Sequence, residues 1–269
     1  MEENLERSAP SRIFALLRLL GEGGSGMRLT DLALAAGLPK PTVHRLLRAL
    51  IGEGAVAYDP TTRLYRLGLG LFSLAARAGN PGNLRDLARP SLLRLTGALG
   101  ETVFLLVRNG YEAVCIDRSA GPLPIRSFTG DIGGKVMLGL GQGAMAILAY
   151  LPESERDEVI RYNLPRLRET TSLDEAFLRI EIERVRQSGF CDSASGLIPG
   201  MAGIGVPILG QDGRAVAALS IGTIVDRLTG ERSRAIAALL MREAAAIAGA
   251  LNPFDPTLRR AASAMERPA

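Results

Sequence analysis

The chain has 269 residues, of which 47% are apolar and 22% charged, and its formal net charge is +4. This length predicts two domains or one large one, and the composition predicts packed cores and argues against wholesale disorder. Two cysteines and one histidine are too few ligands for a zinc site built from these residue types. No apolar stretch is as long as a membrane span and the polar N-terminus lacks signal-peptide features, so we expect a cytoplasmic protein.

The first predicted elements are three short amphipathic helices. In each, apolar residues recur at helical spacing, over residues 13–20, 29–36 and 43–50. Thr30 is the expected N-cap of the second helix, and only Gly37-Leu38-Pro39 separates the second helix from the third. A tight turn containing glycine between two short amphipathic helices is typical of a helix-turn-helix.

The third helix would then be the recognition helix, and the hairpin predicted over residues 56–67 would be a wing. Between Arg28 and Arg66 there are six basic and three acidic residues, a local charge of +3, whereas residues 81–269 carry only +1. Such a basic segment is typical of a module that binds a polyanion. In DNA binding, arginine contacts guanine or phosphate, and threonine and histidine contact phosphates or base edges. The predicted DNA-binding residues are Lys40, Thr42, His44, Arg45, Arg48 and Arg63.

Two alternatives remain open for this segment. Three helices and a hairpin also suit a structural or protein-binding module, in which the outward arginines form a solvated face. His44 equally suits a packing or capping role.

The run LTDLALAAGLPKPTVHRLLRALIGEGAVAYDPTTRLYRLG resembles the DNA-binding domain of the IclR family of bacterial transcriptional regulators. Its most specific part is GLPKPTVHRLLRAL with the closing YRLG, and Pro41 departs from the serine that is frequent there. The resemblance implies a winged helix-turn-helix over residues 1–68 that binds double-stranded operator DNA. It also implies that the next predicted helix, a linker over residues 69–82, joins the domains and contributes to dimerisation.

The rest of the chain predicts an α+β domain. A helix over residues 84–98 precedes a hairpin over 103–116, helices over 144–150 and 175–187, a second hairpin over 203–221 and a final helix over 232–251. This order gives an antiparallel sheet with helices packed against it. Residues 253–269 are expected to form a flexible tail.

The family resemblance continues through ETVFLLVRNG, CIDRS, GFCDS and GIGVPILGQDGRAVAALSIG, and covers about residues 10–252. It implies a GAF-like effector-binding domain over residues 83–252. By the family's pattern, Ser220 matches a ligand-contacting serine, Asp192 an acidic position, and Gly143 the loop that meets the ligand. The resemblance is weaker at GGKVMLGLGQGAMAILAYLP, so it implies the fold of this domain but no particular effector.

The weaker segment contains a competing motif. Gly139-x-Gly141-x-x-Ala144 matches a dinucleotide-binding fingerprint, but no apolar strand follows to complete a βαβ unit. The favoured interpretation is a glycine-rich helix start, at Gly141 and Gly143, that brings backbone N–H groups to a ligand's carboxylate. Polar groups beside predicted strands that could also meet an acid are Arg118, Arg126 and Ser220.

No catalytic constellation is visible, since the only histidine lies on the predicted recognition helix. We therefore expect neither an enzyme nor a cofactor or metal, but a DNA-binding regulator whose operator binding is modulated by a small organic acid. The alternative is a ligand-independent DNA-binding protein whose C-terminal domain only oligomerises. A homodimer or a dimer of dimers is expected, because one winged helix buries too little surface for operator-level affinity.

Overall fold

The structure, a computed structural model, describes residues 8–77, 82–122, 131–192 and 200–252. The chain forms two compact units, Met1–Asn80 and Pro81–Ala269. Three predicted features lie outside the described residues: the tail over residues 253–269, part of the linker over residues 78–81, and Arg126.

The first unit is a helix-turn-helix with a wing, as the sequence predicts. Leu16, Leu32 and Leu47, one from each of the first three helices, are fully buried in its core. Met27, in the loop before the second helix, pairs with Tyr65 through both backbone hydrogen bonds and so adds a bridge to the wing. The elements are α1 (Ala9–Glu22), α2 (Leu29–Ala35), α3 (Lys40–Gly52), β1 (Val56–Asp59), β2 (Leu64–Leu67) and α4 (Leu69–Arg77).

The predicted cap at Thr30 is wrong. The N-cap of α2 is Arg28, which has extended backbone angles, and Thr30 already lies in the first helical turn. The Thr30 hydroxyl donates to the Asp31 carboxylate at 3.1 Å and caps nothing. Because pairing with Tyr65 holds Met27 extended, the helix can begin at the second residue after it, earlier than a threonine cap would allow.

The second unit is built on one antiparallel sheet of five strands, in the order β5-β4-β3-β7-β6. Its elements are α5 (Gly82–Leu99), β3 (Thr102–Asn109), β4 (Glu112–Ser119), β5 (Lys135–Met137), α6 (Gln142–Ala149), α7 (Glu153–Thr170), α8 (Glu175–Ser188), β6 (Met201–Leu209), β7 (Ala215–Ile224) and α9 (Gly230–Ala250). The predicted α+β class is confirmed, whereas α7 and β5 are elements that the sequence did not predict.

Helices cover both faces of this sheet. The face called here the α9 face packs Val103, Leu105 and Leu219 under α5 and α9. The opposite face, the α6 face, packs Phe104, Leu106 and Ala218 under α6, α7 and α8. Alternating residues of one strand therefore enter different cores, which places the side chains of the candidate site on a known face. Among the described helices none has the length and apolar character needed to span a bilayer.

Candidate functional site

The third helix buries one stripe and exposes the other. Val43, Leu46, Leu47 and Leu50 are buried in the core of the first unit, which fixes the rotation of α3. The helix begins without a side-chain cap, because Pro39 occupies the N-cap position, so its first N–H groups have no side-chain acceptor. Of the predicted DNA-binding residues on α3, Thr42 is half-buried and the others are exposed, namely Lys40, His44, Arg45 and Arg48.

The wing presents Arg63 at its tip. Asp59 pairs with Leu64, so the turn comprises residues 60–63, and Arg63 has a φ of 58°. The turn is held by Asp59, whose carboxylate accepts from the Thr62 hydroxyl at 2.7 Å and from the Thr61 amide at 2.8 Å. These hydrogen bonds lower the pKa of Asp59, so the turn keeps its ionised acceptor at neutral pH. An exposed arginine is thereby held on a defined turn.

Charge pairing differs between the two units. Among the residues of 8–74 whose side chains are described, no basic group forms an ion pair. In the second unit, by contrast, many arginines pair with a carboxylate, for example Arg108 with Glu155 and Arg227 with Glu101. The exposed cations of α3 and the wing are therefore available to a polyanion.

The start of α6 lies directly on the sheet. Its N-cap is Gly141, which has a φ of 73° and gives no side-chain cap. A Cβ on Gly143 would lie 2.5 Å from Leu106 Cδ1 and 3.0 Å from Ser220 Oγ. A Cβ on Gly205 would lie 2.5 Å from the Gly143 nitrogen. Glycine is thus required at position 205, where the contacts are with the backbone of α6, whereas a side chain at position 143 would have to displace Leu106.

A row of side chains crosses the sheet beneath this helix start. Ser220 is the cross-strand partner of both Gly205 and Phe104, and Phe104 is the partner of Arg118. Since cross-strand partners share a face, Ser220, Phe104 and Arg118 all lie on the α6 face, with Ser220 and Arg118 two strands or about 10 Å apart. Arg118 is partly exposed and its Nε lies 3.2 Å from Asp131 Oδ1. A hydroxyl, an aromatic ring and a guanidinium in one row suit a small acid with an apolar body.

Asp192 lies beyond this row, at the outer edge of β6. The preceding residue, Cys191, pairs with Gly205 through backbone hydrogen bonds of 2.8 Å in both directions. The Asp192 carboxylate accepts from Arg184 at 2.8 Å and from the Ser233 hydroxyl at 3.4 Å. It therefore ties α8 to α9 and has a structural role in this arrangement.

Gly141, Gly143 and Ser220 are thus brought together, and Asp192 is set apart with partners of its own. Phe104 lies in the same row, and the sequence alone did not predict it beside these residues. The alternation of ETVFLLVRNG would have placed Phe104 and Leu106 on one face, but the sequence alone does not say which face α6 covers.

The described part of the chain offers little support for a dinucleotide site, a metal site or a nucleophilic cysteine. The Gly139 fingerprint follows β5, a strand of three residues in an antiparallel sheet, so it has no βαβ unit around it. No group of three or more His, Cys, Asp or Glu side chains among the described residues could hold a metal ion. Cys115 and Cys191 are both buried, and burial raises the pKa of the Cys115 thiol to about 11, which makes it a poor nucleophile.

Two family profiles match the chain. The profile described as "IclR helix-turn-helix domain" matches residues 9–60. The profile described as "Bacterial transcriptional regulator IclR C-terminal" matches residues 78–248. Together they cover both compact units.

Individual proteins are similar over most of their length. The HTH-type transcriptional repressor AllR of Escherichia coli (strain K12) is 30% identical over 228 residues, 83% of this chain and 83% of that protein. The IclR transcriptional regulator from Alicyclobacillus acidocaldarius shares 26% identity and a TM-score of 0.71, over 88% of this chain and 96% of that one. An IclR homologue from Microbacterium hydrocarbonoxydans, solved in complex with 4-hydroxybenzoate, shares 23% identity and a TM-score of 0.74, over 94% of this chain and all of that one.

Proposed function

Because the chain belongs to the IclR family of bacterial transcriptional regulators and carries its helix-turn-helix DNA-binding domain, we propose that it binds a specific operator and that a small organic acid in the second unit modulates this binding. The proposed DNA contacts come from α3 and the wing, through Lys40, Thr42, His44, Arg45, Arg48 and Arg63. The named relatives are regulators and repressors, which supports a role in binding without catalysis.

The proposed DNA contacts are supported by the exposed basic side chains of α3, which form no ion pair with a described residue. Arg45 and Arg48 lie outside the buried stripe and form no ion pair with a described residue. Arginine on a recognition helix binds guanine bidentately or holds a phosphate, and either contact needs a guanidinium without a competing carboxylate. The exposed Arg63 on the wing adds a third cation of the same kind.

The test is a titration of full-length protein on an operator selected from random DNA. Arg45→Ala should cost about 1–3 kcal/mol if Arg45 binds a base, with relaxed specificity at one position. If Arg45 holds a phosphate, binding should weaken on all sequences and the salt dependence should fall by about one charge. Arg166→Ala is the matched control, since it removes an exposed arginine of α7. Equal affinity of Arg45→Ala and Arg166→Ala would remove Arg45 from the interface.

The effector site is proposed on the α6 face, at Gly141, Gly143 and Ser220. Ser220 is largely buried and its hydroxyl donates to no described residue, while Phe104 beside it is buried in the same core and would form the apolar wall of a pocket. Arg118 lies on the same face, and an effector carboxylate would compete with Asp131 for its partly exposed guanidinium. The complex of the Microbacterium homologue with 4-hydroxybenzoate, an aromatic hydroxy acid, supports an acid of this kind. Asp192, the fourth predicted effector residue, accepts from Arg184 and Ser233, so we propose that it serves the structure beside β6 and does not contact the effector.

Calorimetry of the full chain against 4-hydroxybenzoate and a panel of aliphatic and aromatic hydroxy acids tests this site. A ligand present at one hundred times its dissociation constant should stabilise the protein by about 2.7 kcal/mol. Ser220→Ala and Arg118→Ala should each weaken binding, and Arg166→Ala should not. If Ser220→Ala and wild type bind the ligand with equal affinity, the effector pocket lies elsewhere. The absence of binding by the whole panel would favour the alternative, a ligand-independent DNA-binding protein whose second unit only oligomerises.

Pairing of two chains is proposed through α4. Three large apolar side chains of this helix are strongly exposed, Leu69 at 83%, Phe72 at 72% and Leu74 at 66%. Such a concentration on a nine-residue helix is typical of a surface that another chain covers. A homodimer, or a dimer of dimers, would place two recognition helices on one operator.

A further inference from the structure

Three glycines let the end of α3 pack directly against the start of α4. Gly54 follows α3 with a φ of 70°, and the chain turns there because Gly54 and Ala55 donate back to Ile51 and Leu50 at 3.0 and 2.9 Å. This is a left-handed helix end, which favours glycine. The other two glycines, Gly68 and Gly70, lie on either side of the first residue of α4.

Backbone hydrogen bonds connect the two helices directly. The Gly70 amide donates to the Gly54 carbonyl at 2.9 Å, and the Gly68 amide donates to the Ala55 carbonyl at 2.9 Å. The Gly70 amide belongs to the first turn of α4, where no residue of the same helix can accept. The positive end of one helix dipole therefore meets the chain at the negative end of the other.

The approach is too close for any side chain. A Cβ on Gly68 would lie 2.2 Å from the Gly54 oxygen, and a Cβ on Gly70 would lie 2.7 Å from the Gly54 carbonyl carbon and oxygen. These are backbone atoms, so relief requires that one helix move relative to the other. By contrast, a Cβ on Gly52, two residues before the junction, would meet nothing within 4 Å.

We infer that this junction holds α3 and α4 as one rigid body and thereby sets the spacing of the two half-sites that a dimer recognises. The inference rests on the proposed pairing through α4 and on DNA binding by α3. Because α4 carries the exposed apolar face and α3 the exposed cations, any tilt at the junction changes the distance between the recognition helices of the two chains. Gly54, Gly68 and Gly70 are positioning residues, since none of them is proposed to touch DNA.

The first experiment compares Gly70→Ala with the control Gly52→Ala in the full-length protein. Affinities are measured on a single half-site and on paired half-sites whose separation is varied one base pair at a time, with sequences selected by the wild-type protein. For Gly70→Ala we expect half-site affinity within about twofold of wild type and a loss of at least about tenfold on the paired operator. We also expect the preferred separation to shift by about one base pair or more. Gly52→Ala should match wild type throughout.

The outcomes separate this inference from the proposed function. If wild type selects no paired site, the proposed dimeric operator binding fails and the inference fails with it. If wild type selects one and Gly70→Ala binds it with the same affinity and preferred separation, only the inference fails. If Gly70→Ala weakens half-site and paired binding equally with no change in separation, Gly70 has a merely structural role, which also overturns the inference.

Amide hydrogen exchange of the wild-type protein provides a measurement that needs no variant. If the junction is rigid, the free energy of opening measured from exchange should be the same for the amides of Gly68 and Gly70 as for those of Leu47 and Leu50 in α3. Exchange of the Gly70 amide at the rate of an unprotected amide, while α3 remains protected, would show that the junction opens by itself and would overturn the inference. This measurement decides the matter if Gly70→Ala does not fold.

Discussion

At the scale of single residues, the wing combines strain with charge. Arg63 has a φ of 58°, a region that costs a residue with a Cβ about 1–2 kcal/mol. The Asp59 carboxylate accepts three hydrogen bonds from Thr61 and Thr62 and so holds the turn that contains Arg63. A glycine at position 63 would relieve this strain. The presence of arginine there is explained if its guanidinium has a function at the tip of the wing.

Arg63→Gly should therefore raise the free energy of unfolding by up to about 1 kcal/mol, because the gain from relieved strain exceeds the added entropy of the unfolded chain. The same change should weaken operator binding. Arg63→Lys keeps the charge and the strain and should leave stability unchanged. Urea unfolding and DNA titration measure the two effects. A less stable Arg63→Gly protein would mean that the arginine stem packs favourably on the wing.

A second residue-scale prediction concerns Glu243 of α9, a buried carboxylate that accepts from Arg94 of α5 at 2.6 Å. This hydrogen bond lowers the pKa of Glu243 below its ordinary value near 4.5. The ionised pair thus stabilises the fold above about pH 4.5, and its contribution is lost as the pH falls through the lowered value. Arg94 is 58% exposed, so we expect no more than about 1 kcal/mol at pH 7.

Glu243→Gln should flatten the dependence of stability on pH below about 5. The control Glu169→Gln, an exposed residue of α7 without an ion pair among the described residues, should keep the wild-type profile. Urea unfolding at pH 7, 5, 4 and 3 would compare them. Identical slopes for the two variants would show that the pair contributes nothing on acidification.

At the scale of elements, α5 is fastened to β4 through a buried carboxylate. Asp117 is 1% exposed, and Arg89 Nη1 lies 3.1 Å from its Oδ1 while Arg85 Nε lies 3.7 Å from its Oδ2. Both arginines are half-exposed, so either alone contributes modestly. Loss of both would leave a buried charge without a cation, which is far more costly than the loss of one.

The double variant of Arg85→Ala and Arg89→Ala should accordingly be destabilised by about 1–2 kcal/mol more than the sum of the two single variants. A matched cycle with Arg161→Ala and Arg166→Ala, two exposed arginines of α7, should be additive. Urea unfolding of the full chain gives the free energies. Additivity at Arg85 and Arg89 would mean that Asp117 is compensated by its other hydrogen bond, from the Arg118 amide.

Elements with a strong apolar period were predictable, and elements held by tertiary contacts were not. The apolar stripes of α1 to α3 predict helices, and the alternating apolar residues of the two hairpins predict strands, in each case from local sequence alone. Helix α7 is polar and contains Pro165, and its position depends on distant partners, since Asn163 donates to the carbonyls of Tyr111 and Leu138. The site was predictable in part for the same reason. Glycines mark the start of α6, but the row from Ser220 to Arg118 exists only once the three strands β7, β3 and β4 are in register.

At the scale of the whole molecule, the two units divide the charge chemistry. Among the described side chains, the ion pairs lie in the second unit, while the cations of the first are unpaired. Many charges of the second unit are thereby neutralised within it, whereas the exposed cations of the first are open to an external polyanion. A monomer would hold few phosphates, so this division favours two chains acting on one DNA.

The last prediction tests that pairing. Phe72→Asp places a charge in the exposed apolar face of α4, and burial of that charge against a second copy is costly. We expect wild type to be dimeric or larger by light scattering at micromolar concentration, and Phe72→Asp to shift toward monomer. Affinity for a paired operator should fall with it, while affinity for a single half-site should persist, since Phe72 lies outside α3. Ile180→Asp is the control, because Ile180 is 66% exposed on α8 and its variant should remain dimeric. A wild-type monomer that stays monomeric on operator DNA would contradict pairing through α4, and a Phe72→Asp dimer as tight as wild type would move the interface to another surface.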